Sequence, residues 1–288
     1  MTTIFEDEEG RLEDLGVEEL SRRLFIAAGK GDTQWVEALL RAGASGRRAN
    51  GKGQTALMAA TKRGQIACVE ALLPISDPQK KDEDGIDALL IAIVFGRDDI
   101  IRMLLPVSNP AACDRGGMNA LMYFSLRKKR CDPVIYAEVF GRCDPNGVMN
   151  DGQTALDLAI KNGLDDCVSF FVEQPGVDLL RVGPDGETPF ALALRMANLD
   201  CGNTPESGFN VRSARAIDRC RTRCADILSF TANREQLRGM VEQARRRGEL
   251  TRIPLARARF EALEIAESAR EGAAAEGRAP IRRAAKAL

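Results

Sequence analysis

The sequence predicts an all-α solenoid of about six helix-turn-helix repeats, closed by a helical C-terminal cap. Three observations carry this. GQTALMAATKRG at 53–64 returns almost unchanged as GQTALDLAIKNG at 152–163, 99 residues on, which is three times 33. Alanine and leucine are plentiful while aromatics are only 5%, which suits helices packed through small side chains. Apolar triplets at i, i+3, i+4 mark one face of a helix and recur along the chain.

The series is read from the leucine of TALM. Equivalent anchors are Leu24, Leu57, Leu89, Leu121, Leu156 and Phe190, at spacings of 33, 32, 32, 35 and 34. Two residues before the anchor stand Thr55, Asp87, Asn119, Thr154 and Thr188. All are residue types whose side-chain oxygen caps a helix N-terminus. Arg22 holds that place in the first repeat and departs from the rule. Turn sequences such as KDEDG, DRGG, NDG and GPDG precede most caps. A short helix follows on Ala27/Ala28, Ala59/Ala60 and Ala92, and Gly31, Gly64, Gly96 and Gly163 are placed to end it in a left-handed cap.

A second helix carries Val36, Leu39, Leu40; Val69, Leu72, Leu73; Ile101, Leu104, Leu105; and Val168, Phe171, Val172. Pro74 and Pro106 follow two of these triplets directly and should stop the helix. The fourth repeat is irregular: KKRCDPVIY replaces the glycine, so a distorted helix pair or a lengthened loop is expected there.

These residues resemble the ankyrin repeat, a turn-plus-two-helix unit of ~33 residues with a TPLHxA signature. The resemblance covers roughly residues 20–198. The signature histidine is replaced throughout, by Phe25, Met58, Leu90, Met122, Asp157 and Ala191, and the proline survives only as Pro189. The histidine's bonding between neighbouring turns is therefore expected to be lost. The degenerate repeats and the arginine- and alanine-rich tail also look like bacterial ankyrin-repeat proteins, some of which are effectors delivered into host cells.

Past 198 the period stops. The expected organisation is an acidic N-terminal segment (1–19), the repeats (20–198), a linker (199–210), a helical cap (211–271) and a basic flexible tail (272–288). A solenoid needs such a cap to cover its apolar end. Charge divides in the same way. The net of −1 splits into −9 over residues 1–210 and +8 over 211–288, which suggests different partners for the two parts.

Composition narrows the function classes. There is no histidine at all, which excludes Ser–His and Cys–His nucleophile pairs, histidine metal ligands and the usual neutral-pH proton switch. No apolar run approaches the ~20 residues that span a bilayer. The acidic start MTTIFEDEEGRLEDLG lacks the basic and apolar regions of a signal peptide. Reduced cysteines and a cytoplasmic setting are expected, with delivery by a signal-less secretion route as the alternative.

The motifs that touch on chemistry read structurally. GRRANGKG (46–53) nearly fits a phosphate-binding loop, but Gly53 replaces the hydroxyl residue and no strand precedes it. Cys220 and Cys224 are one helical turn apart, and Cys131, Cys143 and Cys201 lack regular spacing; small buried residues are the plainer reading than a zinc or redox site. RKKR (127–130), QARRRGELTR (243–252) and the tail could touch an acidic partner or nucleic acid. Interspersed glutamates and the lack of aromatics argue against a dedicated nucleic-acid reader. No catalytic residue, cofactor or metal is expected.

The sharpest functional signal is how the repeats differ. In ankyrin-like stacks the residue before the cap and the two before the helix-ending glycine face the concave side. Those positions read Gln54, Lys62, Arg63; then Ile86, Val94, Phe95; then Met118, Leu126, Arg127; then Gln153, Lys161, Asn162. An apolar centre with a charged rim is the pattern of a protein-binding surface. The expectation is a non-enzymatic scaffold or adaptor, monomeric. Ile86, Val94, Phe95, Met118 and Leu126 would anchor a protein partner, and Lys62, Arg63, Arg127 and Lys161 would steer its acidic rim. The alternative is nucleic-acid or anionic-surface binding through the basic C-terminal segment. A third reading, a carboxylate- or thiol-based enzyme within 199–288, has no positive feature behind it.

Overall fold

The computed structural model describes residues 15–127 and 132–198, with Leu12 and isolated positions between 238 and 261. Packing divides the chain into two units, Met1–Leu158 and Ala159–Leu288. The expected linker, C-terminal cap and tail fall outside the described residues apart from those isolated helical positions, as do Cys131, Cys201, Cys220 and Cys224.

The first unit is a stack of helix pairs: α1 (Val17–Lys30) with α2 (Thr33–Arg41), α3 (Ala56–Arg63) with α4 (Ile66–Leu72), α5 (Ala88–Val94) with α6 (Asp98–Leu104), and α7 (Ala120–Phe124) with α8 (Pro133–Arg142). Inner helices pack in the order α1, α3, α5, α7, and outer helices in the order α2, α4, α6, α8. The helix α9 (Ala155–Asn162) contains the division between units, and α10 (Asp165–Glu173) and α11 (Pro189–Asn198) follow it. Among the described residues there are no strands, only isolated bridges at Ala49–Thr55 and Val148–Thr154.

The expected caps form. Thr55, Asp87, Asn119, Thr154 and Thr188 accept bonds from the backbone N–H of Met58, Leu90, Met122, Asp157 and Ala191, at 2.9–3.4 Å. Arg22 departs because α1 is longer than its counterparts: it starts at Val17 behind Gly16, and Arg22 lies inside it, paired with Glu19. The anchors Leu24, Leu57, Leu89 and Leu121 are fully buried, as are Val36, Leu39, Val69, Leu72, Ile101 and Leu104 of the outer row. Pro74 and Pro106 do not stop the outer helices abruptly. Each sits in a 3₁₀ turn, Leu73–Ile75 and Leu105–Val107, that tightens the helix end.

The turns are tied by their backbones. Asn50, Asp82 and Asp114 each clamp their own turn, accepting from the N–H groups two and four residues on at 2.8–3.0 Å. Successive turns then bond to one another: Glu83 N–H to Lys52 O, Arg115 N–H to Asp84 O and Asn150 N–H to Gly116 O. These inter-turn bonds are carried by main chain and do not involve the signature histidine's position. The histidine's place is used locally instead. Asp157 accepts from Thr154 N–H and Oγ1, and the Met58 sulfur accepts from Thr55 N–H.

Gly85 shows why the turn must be glycine. Its φ is +82°, and a Cβ there would stand 2.8 Å from the backbone nitrogen of Arg115. Gly53 and Gly117 are placed alike, so GRRANGKG folds as a turn seated on Asp82.

The fourth repeat is distorted as expected. Its inner helix α7 has five residues, against eight in α3 and seven in α5. Its outer helix α8 has ten, opened by Pro133 and capped by Asp132, and Phe124 packs edge-on against Tyr136 with ring centroids 5.8 Å apart.

In the second unit, Gly163 ends α9 with φ +66°, Val168 and Phe171 are the buried residues of α10, and Phe190 and Ala193 are buried in α11.

Substitutions at the turns and caps test this account. Gly85→Ala should lose about 2 kcal/mol or more in urea unfolding, from left-handed strain plus the Arg115 clash. Gly43→Ala, where φ is +97° but nothing lies within 4 Å of the added carbon, should lose only the strain, about 1–2 kcal/mol. The other test concerns Asp87, whose carboxyl is held above its usual range chiefly by burial. The folded state therefore binds the proton more tightly than the unfolded chain, and stability should fall as pH rises from the ordinary aspartate range through the folded pKa. Asp87→Asn keeps the capping oxygen, as Asn119 does in the next repeat, and should abolish that slope in Tm measured from pH 3 to 7.

Candidate functional site

Each inner helix ends on the same surface. At the ends of α1, α3 and α5 the last one or two side chains before the glycine turn away from the core, which the anchor and the residues one turn on already fill. In α5, Leu89, Leu90 and Ile93 are buried, and the chain then turns at Gly96. Val94 and Phe95 are left outside at 47% and 44% exposure. Leu126, after α7, is 38% exposed. Ile86 and Met118 are half-buried, on backbone that Asp82 and Asp114 hold through their N–H groups. The turn positions are thereby fixed before any ligand arrives. Asp114 is fixed further by the Tyr123 hydroxyl, which donates to it at 2.6 Å. Burial and this bond push the Tyr123 pKa well up.

One repeat earlier the same positions are cationic. Lys62 and Arg63 are exposed, and the Lys62 ammonium lies 5.4 Å from the centre of the Phe95 ring. That contact joins the cationic end of α3 to the apolar end of α5 on one face.

Arg127 does not join them. Its side chain is 5% exposed, bound to Asp98 at 2.9 Å, with the guanidinium 5.4 Å from the centre of the Phe124 ring. It packs against Gly96, as Gln65 packs against Gly31 and Arg97 against Gly64. Gln65 and Arg97 come eight residues after their anchors Leu57 and Leu89, whereas Arg127 comes only six after Leu121. Shortening of α7 draws Arg127 into a packing position, so its expected role as a steering charge is corrected. Lys161 lies in the second unit, half-buried and 3.8 Å from Asp185.

A groove of about 550 Å³ lies beside this face. Phe25, Ile26, Met58, Ala59 and Ile91 form its floor, and Lys30, Lys62 and Arg63 border it. Ile26 is 42% exposed. The positions before each glycine do not include it. Helical geometry does: Ile26 and Lys30, like Ala59 and Arg63 or Ile91 and Phe95, are four apart and share a helix face.

Two of the described cysteines are packing residues. Cys68 and Cys143 are buried, and burial pushes the Cys143 thiol up to about 11. No cluster of metal-ligating side chains occurs among the described residues. No helix among them is long and apolar enough to cross a membrane.

Comparison with known families agrees with the geometry. The model for ankyrin repeats in three copies matches residues 24–114, and that for a single ankyrin repeat matches 151–183. The chain is an ankyrin-repeat protein. No curated protein matches it. The unmatched interval, 115–150, contains the shortened α7 and the long α8.

Arg127→Ala should act on the fold. It removes a buried cation, strands Asp98 and vacates the side of Gly96, and about 2 kcal/mol of stability should be lost in denaturant unfolding.

Proposed function

We propose that this protein is a non-enzymatic interaction scaffold that holds a protein partner on the inner-helix face of its repeats. Ankyrin repeats generally mediate protein–protein interaction and are typically non-enzymatic. The observation that carries the finer reading is the exposure of Val94, Phe95 and Leu126 on adjacent repeats, at positions where the preceding repeat places Lys62 and Arg63. Large apolar side chains held in water by a fixed backbone suit a partner's apolar anchor. Ile86 and Met118 widen that patch from the turns. Lys62 and Arg63 orient a partner whose rim is acidic. Lys161, in the second unit, is the corresponding cation of the fifth repeat.

The likeness of the degenerate repeats and basic tail to bacterial effectors supports a place for this scaffold in a regulator or delivered effector, working in the cytoplasm.

The test is affinity capture with the intact protein, followed by calorimetric titration of the captured partner. Phe95→Ala with Leu126→Ala should weaken binding about 30-fold or more while Tm changes little, because both side chains lie outside the core. Unchanged affinity in the folded double variant removes this face from consideration.

A further inference from the structure

We propose that the groove over α1 and α3 is a docking site for the protein's own acidic N-terminal segment, residues 4–9. The groove offers an apolar floor at Phe25, Ile26 and Met58 and a cationic border at Lys30, Lys62 and Arg63. None of its lining residues is acidic. None of the three cations has a carboxylate partner among the described residues, although Arg22, Arg23 and Arg48 of the same repeats do. The groove therefore fits a ligand that brings a large apolar side chain and several carboxylates close together.

The chain's own sequence contains such a ligand. Ile4 and Phe5 are followed at once by Glu6, Asp7, Glu8 and Glu9. Apolar and acidic groups in six consecutive residues match a floor and border that lie within one or two turns of α1 and α3. The tether is short. Leu12 is 1% exposed, and its carbonyl accepts from Leu15 N–H at 3.1 Å, so the chain is already held to the fold just after this segment. From Gly16 to Ile26 along α1 is about 15 Å at helical rise. The seven residues from Phe5 to the buried Leu12 can span roughly 24 Å, longer than that stretch of α1. Tethering makes the contact intramolecular, so even weak complementarity fills the groove through a high effective concentration.

The occupied groove borders the Phe95 face through Lys62, so the segment would withhold Lys62 and Arg63 from a partner until displaced. That consequence goes beyond the partner-binding reading. The following test uses no partner, so the two fail separately.

A fluorescent peptide of residues 2–14 is titrated into the intact protein and into a variant lacking residues 2–11. The truncated protein should bind it, and the intact protein should bind at least tenfold more weakly because its groove is filled. Peptide carrying Ile4→Ser and Phe5→Ser, or truncated protein carrying Lys62→Glu and Arg63→Glu, should lose about tenfold or more in affinity. No binding to the folded truncated protein, or equal binding to both proteins, overturns the proposal. Should the truncation fail to fold, hydrogen exchange of the full chain decides. Ile4→Ser with Phe5→Ser should raise exchange at 24–30 and 56–63, and unchanged exchange there overturns the proposal.

Discussion

Everything in the first unit depends on one turn fitting against the next at a distance that only glycine permits. Gly53, Gly85 and Gly117 take positive φ where the backbone of Asp82, Arg115 and Asn150 crosses them. The crossing brings the peptide groups of successive turns into bonding range. Helices of five to fourteen residues have little stability alone. They persist because this spacing lets Leu24, Leu57, Leu89 and Leu121 close one continuous core. Stability is therefore a matter of neighbour on neighbour, as in other repeat proteins.

A scaffold held by its turns leaves other positions free to vary. The last side chains of α3 and α5 before the glycine lie outside the core, so they answer to whatever meets that face. They are cationic in the second repeat and apolar in the third. The clamps at Asp82 and Asp114 keep Ile86 and Met118 in place, and a prearranged face avoids the ordering cost that a loose one would incur on binding. The same rigidity makes the face readable: a difference between repeats at one position is a difference in surface chemistry and little else.

Where local rules are enough, sequence reasoning succeeds. The caps at Thr55, Asp87, Asn119, Thr154 and Thr188 need only the next three residues, and the left-handed ends at Gly31, Gly64, Gly96 and Gly163 need only glycine. It fails where a position depends on a neighbouring repeat. Repeat spacing sets Arg127 beside Arg63 as a surface charge, but α7 ends early and the side chain goes inward to Asp98 and Gly96. Ile26 lines a groove because Met58 and Ile91, from two further repeats, complete it.

By itself, then, the sequence determined the repeat, its boundaries of about 33 residues, the caps and the chemistry at each helix end, since these are set by residues within one or two turns of each other. The tertiary structure decided which of those helix ends remain in water. Burial is a property of two or more repeats together, and one shortened helix is enough to exchange a surface cation for a core one.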